Sequence, residues 1–121
     1  MPLDPELADE DYCYLTTTGR VTGKRHEIEI WFGTASDRST IYILAGSRDR
    51  ADFVRNARKT PAVSVRIGAR TFAATARIVD ATGDEDAIAR RLLLEKYAPP
   101  RYFGDDLRDW GRDALAFAVD L

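Results

Sequence analysis

Between Ala62 and Val79 the chain runs AVSVRI, then GA, then RTFAATARIV. Val63, Val65 and Ile67 alternate with Ser64 and Arg66, and after two residues Phe72, Ala74, Ala76 and Ile78 resume the alternation. A period of two on both sides of a two-residue link specifies an antiparallel hairpin with one apolar face. Gly68, first in the link, supplies the positive φ that a type II′ turn requires. A two-stranded ribbon cannot bury such a face alone, so the rest of the chain must supply further strands or covering helices.

The further strands are legible. Asp11–Thr18 is rich in β-formers, with Tyr12, Tyr14, Thr16 and Thr18 alternating with Cys13, Leu15 and Thr17. His26–Thr34 reads as one strand, with Ile28, Ile30 and Phe32 on one side and Glu27, Glu29 and Trp31 on the other. Thr40–Gly46 is apolar on both faces, which predicts a central strand, and ALAFAVDL at the end of the chain predicts a closing one. Two segments change period. Asp49–Lys59 sets Phe53, Val54 and Ala57 on a helical face that ends at Thr60-Pro61. After the acidic TGDED, Ile88, Leu92 and Leu93 form a second helical stripe reaching about Tyr97, and APPRYFGDD reads as loop. The predicted class is mainly β with two helices (α+β): a small closed or split β-barrel in a single domain over 1–121. Residues 1–10 read as a flexible or loosely packed acidic N-terminus.

Charge narrows the partners. The net charge is -2, yet residues 1–18 hold five acids and no Lys or Arg, while 19–77 hold twelve Lys and Arg against five acids. A basic block between acidic ends suits an anionic small molecule, or a merely solvated set of strand faces. It lacks the interleaved exposed aromatics of a nucleic-acid surface, so nucleic acid is not expected. No apolar run reaches the ~20 residues of a membrane span, and the acidic N-terminus is unlike a secretory signal. Cys13 stands alone, which excludes an intrachain disulfide and points to a cytoplasmic setting. With one Cys and the single His26, no zinc-type ligand cluster can be assembled, and no metal is expected. Cys13 reads as a small buried hydrophobe and His26 as an exposed polar residue.

The basic block opens with TTTGRVTGKRHEIEIWF, Thr16 to Phe32. A nucleotide triphosphatase loop needs four residues between its glycines, then Lys and Ser or Thr, then a helix. Here three residues separate Gly19 from Gly23, Arg25 follows Lys24, and a strand comes next. The segment is therefore a hairpin connection whose cations gather at one end of the barrel.

This segment, followed by IYILAGSRDRADFVRNARKTPAVSVRIGARTFAATARIV, resembles the deazaflavin-dependent nitroreductase family, part of the split β-barrel flavin and deazaflavin oxidoreductase superfamily. The resemblance covers roughly Tyr12–Val79. It implies the FMN-binding-like split barrel and a reduced 5-deazaflavin, coenzyme F-420, as the hydride donor to a nitro compound, a quinone or an activated alkene. It also implies a basic loop on the anionic cofactor, with Thr18, Arg20, Thr22, Lys24 and Arg25 in the first loop. Trp31 would flank the ring, and Gly46, Ser47, Arg48 and Arg50 would form a second, shortened phosphate loop. Phe53 and Asn56 occupy family positions, and Tyr97 and Tyr102 fall where the family places substrate-facing tyrosines, which makes them the catalytic candidates. The shortened second loop keeps two alternatives open: flavin mononucleotide on the same barrel, or a non-catalytic barrel that carries a small ligand. Split barrels often pair, so a homodimer is compatible with this reading.

Overall fold

In the computed structural model of the chain, which describes residues 2–104 and 106–121, the expected hairpin forms. Strands β5 (Ala62–Ile67) and β6 (Arg70–Ile78) pair antiparallel with Ile67 opposite Arg70, and Gly68 turns at φ 58°. The other strands are β1 (Cys13–Thr18), β2 (Arg25–Ile30), β3 (Gly33–Thr34), β4 (Thr40–Ala45) and β7 (Leu115–Asp120). They form one sheet of order β2-β1-β5-β6-β7-β4-β3, antiparallel at every pairing. The sheet curls into a seven-stranded half-barrel, the split-barrel FMN-binding-like fold. Four helices accompany it: α1 (Pro5–Ala8), α2 (Asp52–Lys59), α3 (Asp84–Lys96) and α4 (Leu107–Asp113).

The core has two layers. Inside the curl, Leu15, Phe32, Ile41, Ile43, Val63, Val65, Ile67, Phe117 and Val119 pack together with Val54 and Ala57 of α2. Outside it, Tyr42, Leu44, Ala116 and Ala118 pack against Ala89, Leu93 and Tyr97. β4 therefore buries both faces, as its unbroken apolar run predicts. β7 lies between β6 and β4, so the closing strand is central.

Four details differ from the sequence reading. Ile88 is 40% exposed, and the buried stripe of α3 is Ala89, Leu93 and Tyr97, one position on. α4 forms where a loop and the strand approach were expected. Its Gly111 is required, because a Cβ there would lie 2.6 Å from a Leu94 methyl. Residues 2–10 are anchored at Leu3, which is fully buried. The Leu3 amide donates to the Arg38 carbonyl at 2.7 Å, and Arg38 Nε donates back to the Leu3 carbonyl at 2.7 Å. Met1, the remaining residue of that segment, lies outside the described residues. Finally, the strand expected over His26–Thr34 breaks at Trp31-Phe32, for a reason that belongs to the site.

An ion-pair network ties the barrel to α3. Arg77 of β6 contacts Glu85 of α3 at 2.6 Å and Asp120 of β7 at 2.8 Å, and Tyr42 donates its hydroxyl to Glu85 at 2.8 Å. The Arg77 guanidinium is the main cause holding the Glu85 carboxyl at about 2, and it lowers Asp120 in the same direction. A folded-state value below the ordinary one stabilises the native state above that ordinary value and ceases to do so as pH falls through the folded one. The urea midpoint should therefore drop between about pH 5 and pH 2, and the Arg77→Met variant should show a flatter profile over that window. Solvent around these half-exposed groups keeps the effect modest. A parent profile as flat as the variant's would remove the network from the stability account.

Candidate cofactor and substrate site

β2 and β3 stand at opposite ends of the sheet order yet follow each other in the chain, so the curl brings the two sheet edges face to face across a seam. Trp31 and Phe32 cross it. Here the backbone leaves the ladder, and α3 supplies the missing partners. The Phe32 amide donates to Tyr97 Oη at 3.0 Å, and Lys96 Nζ donates to the Phe32 carbonyl at 3.0 Å. The Tyr97 hydroxyl in turn donates to the Asp11 carbonyl at 2.7 Å. Lys96 Nζ also sits 3.5 Å from the centre of the Phe32 ring, and burial lowers its ammonium to about 8.

Trp31 stacks on Tyr97 with ring centres 4.1 Å apart and planes 3° from parallel. It meets Tyr102 and Trp110 nearly edge-on, at 5.1 Å and 5.5 Å. Trp110 is fixed from behind, its Nε1 donating to the Leu44 carbonyl at 3.3 Å. Trp31, Tyr102 and Trp110, with Tyr12, Ile30, Leu44 and Leu107, wall a cavity of about 410 Å³ at one end of the seam, and Tyr97 backs Trp31 from outside it. Glu29 and Asp106 supply its charges.

A second cavity, of about 400 Å³, lies further along β2 beneath the glycine loop. Its lining is more polar than the first: Thr17, Gly19, Arg20, Thr22, His26 and Glu27 face Asp52, Phe53 and Asn56 of α2, so the Arg20 guanidinium shares the cavity with two carboxylates. Ile28 lines this cavity and Ile30 the other, so same-face residues of one strand, ~6.8 Å apart, join them. Asn56 is buried at the centre of the polar cluster. Its Oδ1 accepts from the Arg20 amide at 3.1 Å and from Arg20 Nη1 at 2.9 Å, while its Nδ2 donates to Thr17 Oγ1 at 3.2 Å. Arg20 Nη2 reaches Asp52 at 3.2 Å, and Lys59 Nζ holds the Arg20 carbonyl at 2.7 Å. The loop closes on itself through Gly19 N–H to the Lys24 carbonyl at 2.7 Å, with Gly23 at φ 74°. Gly19 admits the His26 ring, since a Cβ there would lie 2.9 Å from Nε2.

The sequence-predicted residues divide accordingly. Arg20 and Thr22 line the polar cavity, and Trp31 and Tyr102 line the aromatic one. Lys24 is exposed at the tip of the loop. Thr18 and Arg25 are register partners, as are Thr17 and His26. The buried face of β1 carries Cys13, Leu15 and Thr17. Thr17 and His26 therefore face the cavity, while Thr18 and Arg25 lie on the outer face, one residue away. Gly46, Ser47, Arg48 and Arg50 are exposed and line neither cavity. Within that loop the Arg50 amide donates to the Ser47 carbonyl and the Ala51 amide to the Arg48 carbonyl, so these donors are already used. Arg48, at φ 56°, donates from Nη1 to the Asp113 carbonyl.

The two catalytic candidates, Tyr97 and Tyr102, stand in different surroundings. Tyr97 is 1% exposed, its hydroxyl is spent on backbone groups, and burial pushes that hydroxyl above its ordinary value, so it offers no proton to a ligand. Tyr102 stays on the cavity wall, its hydroxyl donating to Asp106 Oδ1 at 2.7 Å. The residues the sequence reading left out are Tyr12, Glu29 and Asp106 around the aromatic cavity and Thr17 in the polar one. The alternation of β2 carried a signal for His26, which shares a face with Ile28 and Ile30. Among the described residues no three His, Cys, Asp or Glu side chains are grouped to hold a metal, and no helix is long and apolar enough to cross a membrane.

Comparison with known structures places the fold. A structure described as an F420-H2 dependent reductase, FDR-A, superposes with a TM-score of 0.69 at 22% identity, over 99% of this chain and 98% of that one. The heme storage protein HutZ of Vibrio cholerae gives 0.73 at 18% identity, over 99% and 90%. A chain described as a domain-swapped dimer gives 0.70 at 23% identity, over 98% and 82%. At these identities the likeness is one of fold. No curated protein matches the sequence significantly. The profile of one family, the F420H(2)-dependent quinone reductases, matches residues 4–105. With that match spanning most of a chain folded as a split barrel, the chain belongs to the F420H(2)-dependent quinone reductase family.

Proposed function

We propose that the chain is a reductase that passes a hydride from reduced coenzyme F-420 to a small flat acceptor: a quinone, a nitro compound or an activated alkene. The observation that carries this reading is the pair of adjoining cavities along β2. The Arg20 end suits the cofactor's phosphate-bearing tail, and the aromatic cavity beside it suits a flat acceptor. The residues present suit the cofactor. Arg20 spends two of its five N–H donors on Asn56 and Asp52, which fixes its plane and leaves donors for an anion. The Thr17 and Thr22 hydroxyls, His26 and exposed Lys24 complete the tail-binding end. Ile28, Ile30 and Trp31 offer the ring an apolar edge.

When bound, reduced F-420 supplies the hydride, and the acceptor takes up one proton to complete a two-electron reduction. The chain's own task is positioning and exclusion of water. Trp31, held flat by Tyr97, fixes one wall, and Trp110 fixes another. Tyr102 orients the acceptor through its hydroxyl, with Asp106 holding that hydroxyl in place. The domain-swapped dimer among the fold relatives supports a homodimer for this chain, and the same reading assigns it to the cytoplasm.

The direct test is a titration of F-420 against the purified protein, with flavin mononucleotide as the competing cofactor. Arg20→Ala should weaken F-420 binding about ten- to a hundredfold, as expected for a lost charge-assisted hydrogen bond, and added salt should narrow the gap. Arg91→Ala, which removes only a long 3.8 Å pair with Glu95 on α3, should bind like the parent. Unchanged affinity in Arg20→Ala at low salt, or tighter binding of flavin mononucleotide by the parent, would overturn the assignment.

A further inference from the structure

The charge on the aromatic cavity has one sign. Among the described residues, Glu29 and Asp106 are the only acidic or basic side chains on its lining, and neither is in an ion pair. Glu29 Oε2 accepts the Tyr14 hydroxyl at 2.7 Å and Asp106 Oδ1 the Tyr102 hydroxyl at 2.7 Å. Each carboxylate receives one hydroxyl donor and keeps most of its acceptor capacity. Between them Trp31 meets Trp110 at 86° and Tyr102 at 77°, so ring faces and edges turn toward one space from three directions.

An aromatic box under an acidic rim favours positive charge twice over. The ring faces carry negative quadrupole, and the carboxylates, exposed at the rim, add a field that is strongest at low salt. A cavity of about 410 Å³ admits a planar ring system of two or three fused rings. We propose that this cavity selects planar aromatic cations over neutral molecules of the same shape, and rejects anionic ones. In terms of the proposed function, on which the word acceptor rests, the favoured acceptors are cationic heteroaromatics.

The chain has two tryptophans, and both line this cavity, so intrinsic fluorescence reads its occupancy without any cofactor. The probes are N-methylphenazinium, a planar cation, neutral phenazine, and phenazine carboxylate, titrated at low and high salt. The cation should bind about tenfold more tightly than neutral phenazine at low salt, and the carboxylate should bind most weakly. In the double variant Glu29→Gln with Asp106→Asn the order should collapse toward equal affinities. Both replacements are isosteric at exposed positions, so folding is not at stake. Equal affinities in the parent, or a preference that survives in the double variant, would overturn the proposal. A parent that prefers the cation yet binds no F-420 would sink the assigned function alone and leave this selectivity standing.

Discussion

Val65→Asp is expected to abolish cooperative folding at 37 °C. Val65 is fully buried in the middle of β5, opposite Leu15 of β1 and Phe72 of β6. An aspartate there would place a carboxylate inside the curl, where the packed neighbours among the described residues are apolar. Such a group costs several kcal/mol whether it stays charged or takes a proton, against a total stability of about 5–15 kcal/mol for a domain of this kind. Circular dichroism during heating would show either no transition or one far below that of the parent. Val65→Thr, nearly the same in shape, should lose only about 1–3 kcal/mol through its unpaired hydroxyl and remain folded. An aspartate variant that melted with the parent would mean that β5 does not face the interior.

Tyr97 and Tyr102 should separate cleanly by opposite effects. Tyr97→Ala removes one of the largest fully buried side chains and unstacks Trp31, a loss of about 3–5 kcal/mol before the stranded Phe32 amide is counted. Tyr97→Phe keeps the ring and deletes only the oxygen that serves Phe32 and Asp11, which should cost about 1–3 kcal/mol. Tyr102→Phe should melt like the parent and show its loss in turnover, because its hydroxyl faces the cavity and Asp106. Urea denaturation and turnover with a common quinone would be measured on all three. A Tyr97→Phe protein as stable as the parent but inactive would return that residue to the chemistry.

The confusion between these two tyrosines illustrates how much of the site the sequence carried. Period-two alternation revealed the strands and the hairpin at Gly68, because each strand states its own pattern locally. It could not show which hydroxyl points into a cavity, since Tyr97 and Asp11 meet only through the curl of the sheet. The break at Trp31-Phe32 was hidden for the same reason: β-formers continue through it, and its partners Lys96 and Tyr97 lie 64 and 65 residues away. Thr16, Thr17 and Thr18 are identical in kind, so no pattern told the inner Thr17 from the outer Thr18. α4 escaped notice because a helix of seven residues carrying an internal glycine has poor intrinsic propensity, and its Gly111 is explained only by contact with Leu94. The glycine loop and Arg20, by contrast, were visible at once, since loop chemistry is written in adjacent residues.

The placement of β7 between β6 and β4 governs how the barrel can assemble over time. Thr40 and Asp120, joined by a side-chain hydrogen bond of 2.7 Å, are 80 residues apart in the chain. Until residues 115–120 arrive, β4 has no partner on that side, and Ile41, Ile43 and Ala45 have no second wall to pack on. The β1–β2 and β5–β6 hairpins can form early from local contacts, but the barrel waits for the last strand to enter. Such non-local closure slows folding relative to helical proteins of this size, and during synthesis it leaves a bare apolar strand edge as the emerging chain's chief aggregation hazard.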